Sequence, residues 1–321
     1  MKLIRMRKKA VIILFLAFAC FAYAVEENNS TDDAHPEHEA MGYLDALVYG
    51  LVEGLTEFLP VSSTGHLILA KEFLEDTDSE ELETAINAYL IVIQAGAILA
   101  VAILYWRDVW AMGLGVLGLD PRGRSLARNL LLAFLPAAIL GPLLDEFIEE
   151  RLFGALPVAI ALFLGGFLIF FAERMRARRE RSDASGPSPD LSQMKPTSAL
   201  VIGAMQCVAM WPGTSRSMMT IVGGYIVGLR PAKAAEFSFL LGLVTLTAAA
   251  GYKVVTKGHQ MAQHLSFGPV LIGCLVAGVS AALSVRWLVG YLSHRGLAIF
   301  GWYRILLSII IFVLLGIGFL D

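Results

Sequence analysis

Charge is what this sequence has least of. Only 17% of its 321 residues are Asp, Glu, Lys or Arg, while 57% are hydrophobic; a soluble domain carries roughly a quarter charged residues. With a mean hydropathy of +0.67, that scarcity excludes a disordered chain, a nucleic-acid-binding surface and an ordinary soluble enzyme. Cysteine is scarce too. Cys20, Cys207 and Cys274 all lie in apolar runs, which leaves no disulfide framework and no zinc-ligand spacing. The chain also lacks a Gly-Lys-Ser/Thr phosphate loop, so the nucleotide site of a lipid kinase is missing. What remains in quantity is apolar length, with 30 Gly and 18 Phe. The class is an all-α polytopic membrane protein.

The net charge of −3 hides a split, because residues 1–24 carry five positive charges and no acid. Lys2, Arg5, Arg7, Lys8 and Lys9 precede the apolar run from Ala10 to Phe21, and Ala22-Tyr23-Ala24 gives a small-x-small cleavage pattern. Residues 1–24 therefore read as a signal peptide or an uncleaved anchor. Residues 25–40 hold six acids, His35 and His38, and no Lys or Arg. They read as an acidic periplasmic linker.

A membrane helix needs about 20 mostly apolar residues. Residues 86–106, 152–172 and 265–285 meet that without a charge, and 129–144, 237–252 and 305–320 do so once extended. That predicts six transmembrane helices. Two further apolar regions are broken. Residues 43–70 are interrupted by Glu53, Glu57 and Pro60, and residues 198–229 by Trp211-Pro212-Gly213 and Arg216. Each reads as two short helices around a polar turn, and broken helices in corresponding places of two halves mark a membrane-embedded site. A shift of 152 residues lays Pro60 on Pro212, and Ser62 and Ser63 on Thr214 and Ser215. The expectation is an inverted-topology repeat of residues 41–172 and 196–321, each half a re-entrant helical hairpin plus three spans, joined by a basic cytoplasmic linker, 173–195. With the N-terminus outside, the loop 71–85, with seven acids, is periplasmic. Arg107, Arg122, Arg124, Arg128, the linker arginines, Arg230, Lys233 and Arg295 then fall inside, in accord with the positive-inside rule.

Chemistry concentrates at the two breaks. Glu53 and Glu57 stand one helical turn apart, so both carboxylates share a face. Acids within a membrane segment mark function, and this pair suits a magnesium or calcium ion held with waters. Ser62, Ser63 and Thr64 follow Pro60, where hydroxyls cap the next helix, and His66 lies on the same face as Ser63. The free N–H groups of that helix start favour an anion. The second break offers Thr214, Ser215, Ser217 and the guanidinium of Arg216, which has no acid nearby in sequence and is suited to bidentate phosphate binding. Facing each other, the two turns make a pocket for phosphoryl or diphosphate chemistry.

Residues 50–66, Gly-Leu-Val-Glu-Gly-Leu-Thr-Glu-Phe-Leu-Pro-Val-Ser-Ser-Thr-Gly-His, resemble the signature of the undecaprenyl-diphosphatases, the bacitracin-resistance membrane phosphatases. Residues 211–217, Trp-Pro-Gly-Thr-Ser-Arg-Ser, and 236–241, Glu-Phe-Ser-Phe-Leu-Leu, are similar to two further stretches of that family. The resemblance covers about residues 41–320. It implies hydrolysis of undecaprenyl diphosphate to the monophosphate and phosphate, recycling the carrier lipid for cell-wall synthesis in the bacterial inner membrane, commonly by a homodimer. It also implies roles. Glu53 and Glu57 become the acidic pair, Ser63 and His66 the nucleophile or acid–base candidates, Arg216 the phosphate clamp, and Ser62, Thr64, Thr214, Ser215 and Ser217 hydrogen-bonding support. Met218 departs from the glycine common there, and the extension 1–40 is unusual. A transporter or flippase for a lipid or anionic substrate is the rival reading, since fold does not settle function.

Overall fold

The computed structural model describes residues 42–74, 80–182, 190–263 and 265–320. The expectations for 1–24 and 25–40, and part of those for the loop 71–85 and the linker 173–195, lie outside these residues. Eleven α-helices are described: α1 (Tyr43–Thr56), α2 (Ser63–Leu74), α3 (Glu80–Leu104), α4 (Trp106–Val116), α5 (Pro121–Leu152), α6 (Ala155–Ser182), α7 (Pro196–Val208), α8 (Arg216–Ile226), α9 (Pro231–Gln263), α10 (Phe267–Leu292) and α11 (Ala298–Gly316). Six of them, α3, α5, α6, α9, α10 and α11, contain stretches long and apolar enough to cross a membrane. These are the six expected spans, and the chain is a multi-pass membrane protein.

Helix boundaries follow local chemistry. Asp120 caps α5 by accepting from the Arg122 and Gly123 amides at 2.9 and 3.1 Å, and Pro121 occupies the first turn, where its missing N–H costs nothing. One element departs from the sequence reading. The sequence reads 107–128 as a loop on the cytoplasmic side, yet Trp106–Val116 is helical and packs on α5. The Gly115 and Gly123 backbones meet there so closely that a methyl on Gly123 would collide with the Ala111 carbonyl.

At both breaks the structure places a helix–turn–helix, α1–α2 and α7–α8. None of these four helices reaches the roughly 17 residues a span requires. Each unit is laid against the opposite half of the chain, α1 on α10 and α7 on α5. The repeat registers differently from the proline alignment. Tyr43 and Pro196 begin α1 and α7, and Ser63 and Arg216 begin α2 and α8; both pairs are 153 residues apart. Ser62 and Ser215 share that spacing, and both adopt positive φ, 72° and 71°. The structural spacing is therefore 153 rather than 152, which pairs Ser63 with Arg216 and Glu53 with Gln206. The core where the halves meet includes Phe58, Met218, Tyr225, Phe237, Phe239 and Leu288, all buried.

Candidate active site

The turn 57–62 and the turn 209–215 meet face to face. Ser217, in the first turn of α8, donates to the Leu59 carbonyl at 2.7 Å. Arg304 of α11 is fully buried and ties the two turns together. Its Nη2 donates to the Gly213 carbonyl at 2.8 Å and to the Ala161 carbonyl at 3.2 Å, and its Nη1 reaches the Pro60 carbonyl at 3.5 Å. Buried turn carbonyls left outside helical hydrogen bonding need such donors.

Glu57 sits just past the end of α1 and takes two charge-assisted hydrogen bonds. Ser63 Oγ donates to its Oε2 at 2.8 Å, and Arg216 Nη2 to its Oε1 at 2.8 Å. No acid lies near Arg216 in sequence, and the structure supplies one from the other half of the chain. Arg216 is further fixed by a bond to the Ser238 carbonyl at 3.1 Å and by the Phe58 ring, 5.3 Å from its guanidinium carbon. A guanidinium offers five N–H donors, and Nε has no partner among the described residues. The group is held in place with donors to spare.

Glu53 is buried one turn before Glu57 and accepts from Gln94 Nε2 at 3.2 Å. Among the described residues Glu57 has the guanidinium and Glu53 only an amide. An unneutralised buried carboxylate is costly. Two carboxylates one turn apart, one of them lacking a cation, fit a divalent ion that completes its oxygen shell with water and phosphate oxygens. No group of three or more His, Cys, Asp and Glu side chains assembles among the described residues, so the protein itself would supply few of the ligands.

His66 lies one turn after Ser63, but its ring turns elsewhere. Nδ1 is 2.7 Å from the Ser62 carbonyl and Nε2 is 2.6 Å from Tyr303 Oη, with the two rings stacked 5.6 Å apart. Ser62 contributes its carbonyl here. Thr214 bonds back to the Trp211 carbonyl at 2.6 Å, inside its own turn. Ser215 Oγ caps α8 through the Met218 amide at 3.3 Å and lies 3.2 Å from Ser217 Oγ. Thr64 is half-buried in the first turn of α2. The structure thus brings Glu57, Ser63 and Arg216 into direct contact, with Glu53 and Ser217 beside them and His66 one turn away. Sequence reasoning missed Gln94, Ser238, Tyr303 and Arg304. Arg304 carried a signal, a charge inside an apolar span, which was lost by starting that span at 305.

The chain matches the family model described as bacitracin resistance protein BacA over residues 46–310. It is 44% identical to an undecaprenyl-diphosphatase of Sorangium cellulosum over 276 residues, covering 84% of this chain and 86% of that protein. It is 42% identical to undecaprenyl-diphosphatase 2 of Rhodospirillum rubrum over 269 residues, 84% of this chain and 93% of the relative. An undecaprenyl-diphosphatase of Clostridium tetani is 36% identical over 271 residues, 84% of this chain and 96% of its own length.

Proposed function

The chain belongs to the bacitracin resistance protein BacA family, and from that premise we infer that it is a membrane enzyme hydrolysing undecaprenyl diphosphate to undecaprenyl phosphate and inorganic phosphate. The observation that carries this reading is the double engagement of Glu57, with a hydroxyl on one oxygen and a guanidinium on the other. A binding site for transport has no need of a hydroxyl held on a carboxylate base, whereas nucleophilic catalysis requires that pairing.

The proposed chemistry runs in two steps. Ser63 Oγ attacks the terminal phosphorus while its proton passes to Glu57, and the bond from that phosphorus to the bridging oxygen breaks, releasing undecaprenyl phosphate. Water then attacks the phosphoserine, with His66 as base; the P–Oγ bond breaks and Ser63 recovers its proton from Glu57. Arg216 binds the phosphoryl oxygens as charge gathers on them, the usual largest contribution to such reactions. Ser62, Thr64, Thr214, Ser215 and Ser217, with the amides at the start of α2 and α8, are proposed as hydrogen-bonding support for the phosphate, Thr214 and Ser217 by way of the turns they tie together. Glu53 and Glu57 would hold a magnesium or calcium ion, which when bound draws charge from the phosphate oxygens.

Phosphate release from undecaprenyl diphosphate by the purified protein in detergent tests the activity, because transport cannot register there. Release is expected; its absence with either metal present would favour the transporter reading. The site is further proposed to face the periplasm of the bacterial inner membrane, in an inverted repeat whose helix–turn–helix units re-enter the side they start from, and in a homodimer. The acidic loop beside α2 supports this orientation. A cysteine replacing Asp76 should react with a membrane-impermeant maleimide in intact cells. Reaction only after lysis would overturn the orientation.

A further inference from the structure

His66 has both ring nitrogens committed. The Ser62 carbonyl, 2.7 Å from Nδ1, can only accept, so Nδ1 carries the proton and Nε2 is the lone-pair nitrogen. That lone pair points at Tyr303 Oη, 2.6 Å away, and so accepts from the phenol. The histidine ring itself is half-buried, while Tyr303 is 42% exposed. The parallel stack of the two rings fixes their relative position. Tyr303 comes from α11, and its neighbour Arg304 is locked between the two turns, so the phenol is carried by the same rigid element that holds the site together.

With Nε2 occupied in this way, a proton reaching it passes through the phenol oxygen. We propose that Tyr303 is a relay and positioning residue for His66, passing to Nε2 the proton of the water that hydrolyses phosphorylated Ser63. As the water oxygen bonds to phosphorus, its proton moves to Tyr303 Oη while the phenolic proton moves to Nε2. His66, now a cation, returns its extra proton to solvent once phosphate departs. This deepens the functional reading above and rests on it.

The test compares Tyr303→Phe, Tyr303→Leu and His66→Ala in the full-length purified protein, with undecaprenyl diphosphate labelled in its terminal phosphate. Tyr303→Phe keeps the stacked ring and removes only the relay. It should lower kcat on the order of tenfold or more, leave KM within about twofold, and raise the steady-state fraction of phosphorylated Ser63. Tyr303→Leu should fall at least as far. His66→Ala should accumulate the same phosphoserine, and adding Tyr303→Phe to it should cost nothing further. Selective ¹⁵N labelling of histidine gives an independent signature: in Tyr303→Phe the His66 Nε2 resonance moves downfield as the acceptor loses its donor, and Nδ1 stays protonated. Wild-type kcat and phosphoserine level in Tyr303→Phe, beside an impaired His66→Ala, would overturn the relay and leave the functional reading standing. Full activity in His66→Ala would overturn both the relay and the role given to His66.

Discussion

Glu57→Gln should leave a folded protein whose phosphate release falls by at least about 100-fold, the range expected for losing a general base. Glutamine matches the shape of glutamate, so the turn after α1 and its contacts with Phe58 should survive. What it cannot do is accept from Ser63 on one atom and from Arg216 on the other, as Glu57 does at 2.8 Å each. With its oxygen on Arg216, its amide nitrogen faces Ser63 and can only donate to that hydroxyl, so it cannot take the hydroxyl's proton. The hydroxyl loses its base and the guanidinium its counter-charge together. Kinetics should show a fall in kcat, and the response to added magnesium or calcium should flatten, since one of two carboxylates at the proposed ion is gone. Thermal unfolding in detergent checks the fold. A folded variant with parental turnover and unchanged metal response would remove Glu57 from the chemistry.

Arg216→Lys should be nearly as damaging although it keeps the charge. Arg216 uses a planar fork, one arm on Glu57 and the other on the Ser238 carbonyl, over the Phe58 ring. An ammonium is a single point donor on a flexible stem and cannot span these partners while also gripping two phosphate oxygens. Losing such a donor from a desolvated site costs on the order of 2–4 kcal/mol, or about 30- to 1000-fold in rate. The loss should fall on kcat if Arg216 tightens on the transferring phosphoryl group, and on KM if it binds the ground state alone. A lysine variant within twofold of the parent on both parameters would show that the guanidinium serves the fold and does not contact substrate.

The large features were legible because they rest on length and local chemistry. Six spans follow from apolar runs that have few other uses, and both breaks follow from Pro60 and Pro212 among hydroxyls and charges. The helix Trp106–Val116 was not legible. It is short, carries Arg107 and Asp108, and gains its stability from glycines in contact with α5, a tertiary effect with no periodic signature. The register of the repeat was off by one residue because prolines in a turn were aligned, whereas the backbone repeats at the helix starts and at the two positive-φ serines. Within the site, Glu53, Glu57, Ser63, His66 and Arg216 could be named from their types and spacing. The bond from Glu57 to Arg216 could not, since 159 residues separate them. Tyr303 had no local signal at all: an aromatic residue in an apolar helix looks the same whether it faces lipid or a histidine.

The most direct test of the account is a rapid acid quench of the purified protein during turnover of undecaprenyl diphosphate labelled in its terminal phosphate, followed by mapping of the modified residue. The account predicts a label that is stable to acid, resides on Ser63, disappears in Ser63→Ala, and forms and decays fast enough to carry the steady-state rate. Turnover with Ser63 unlabelled throughout, or a label on His66 that persists in Ser63→Ala, would contradict it.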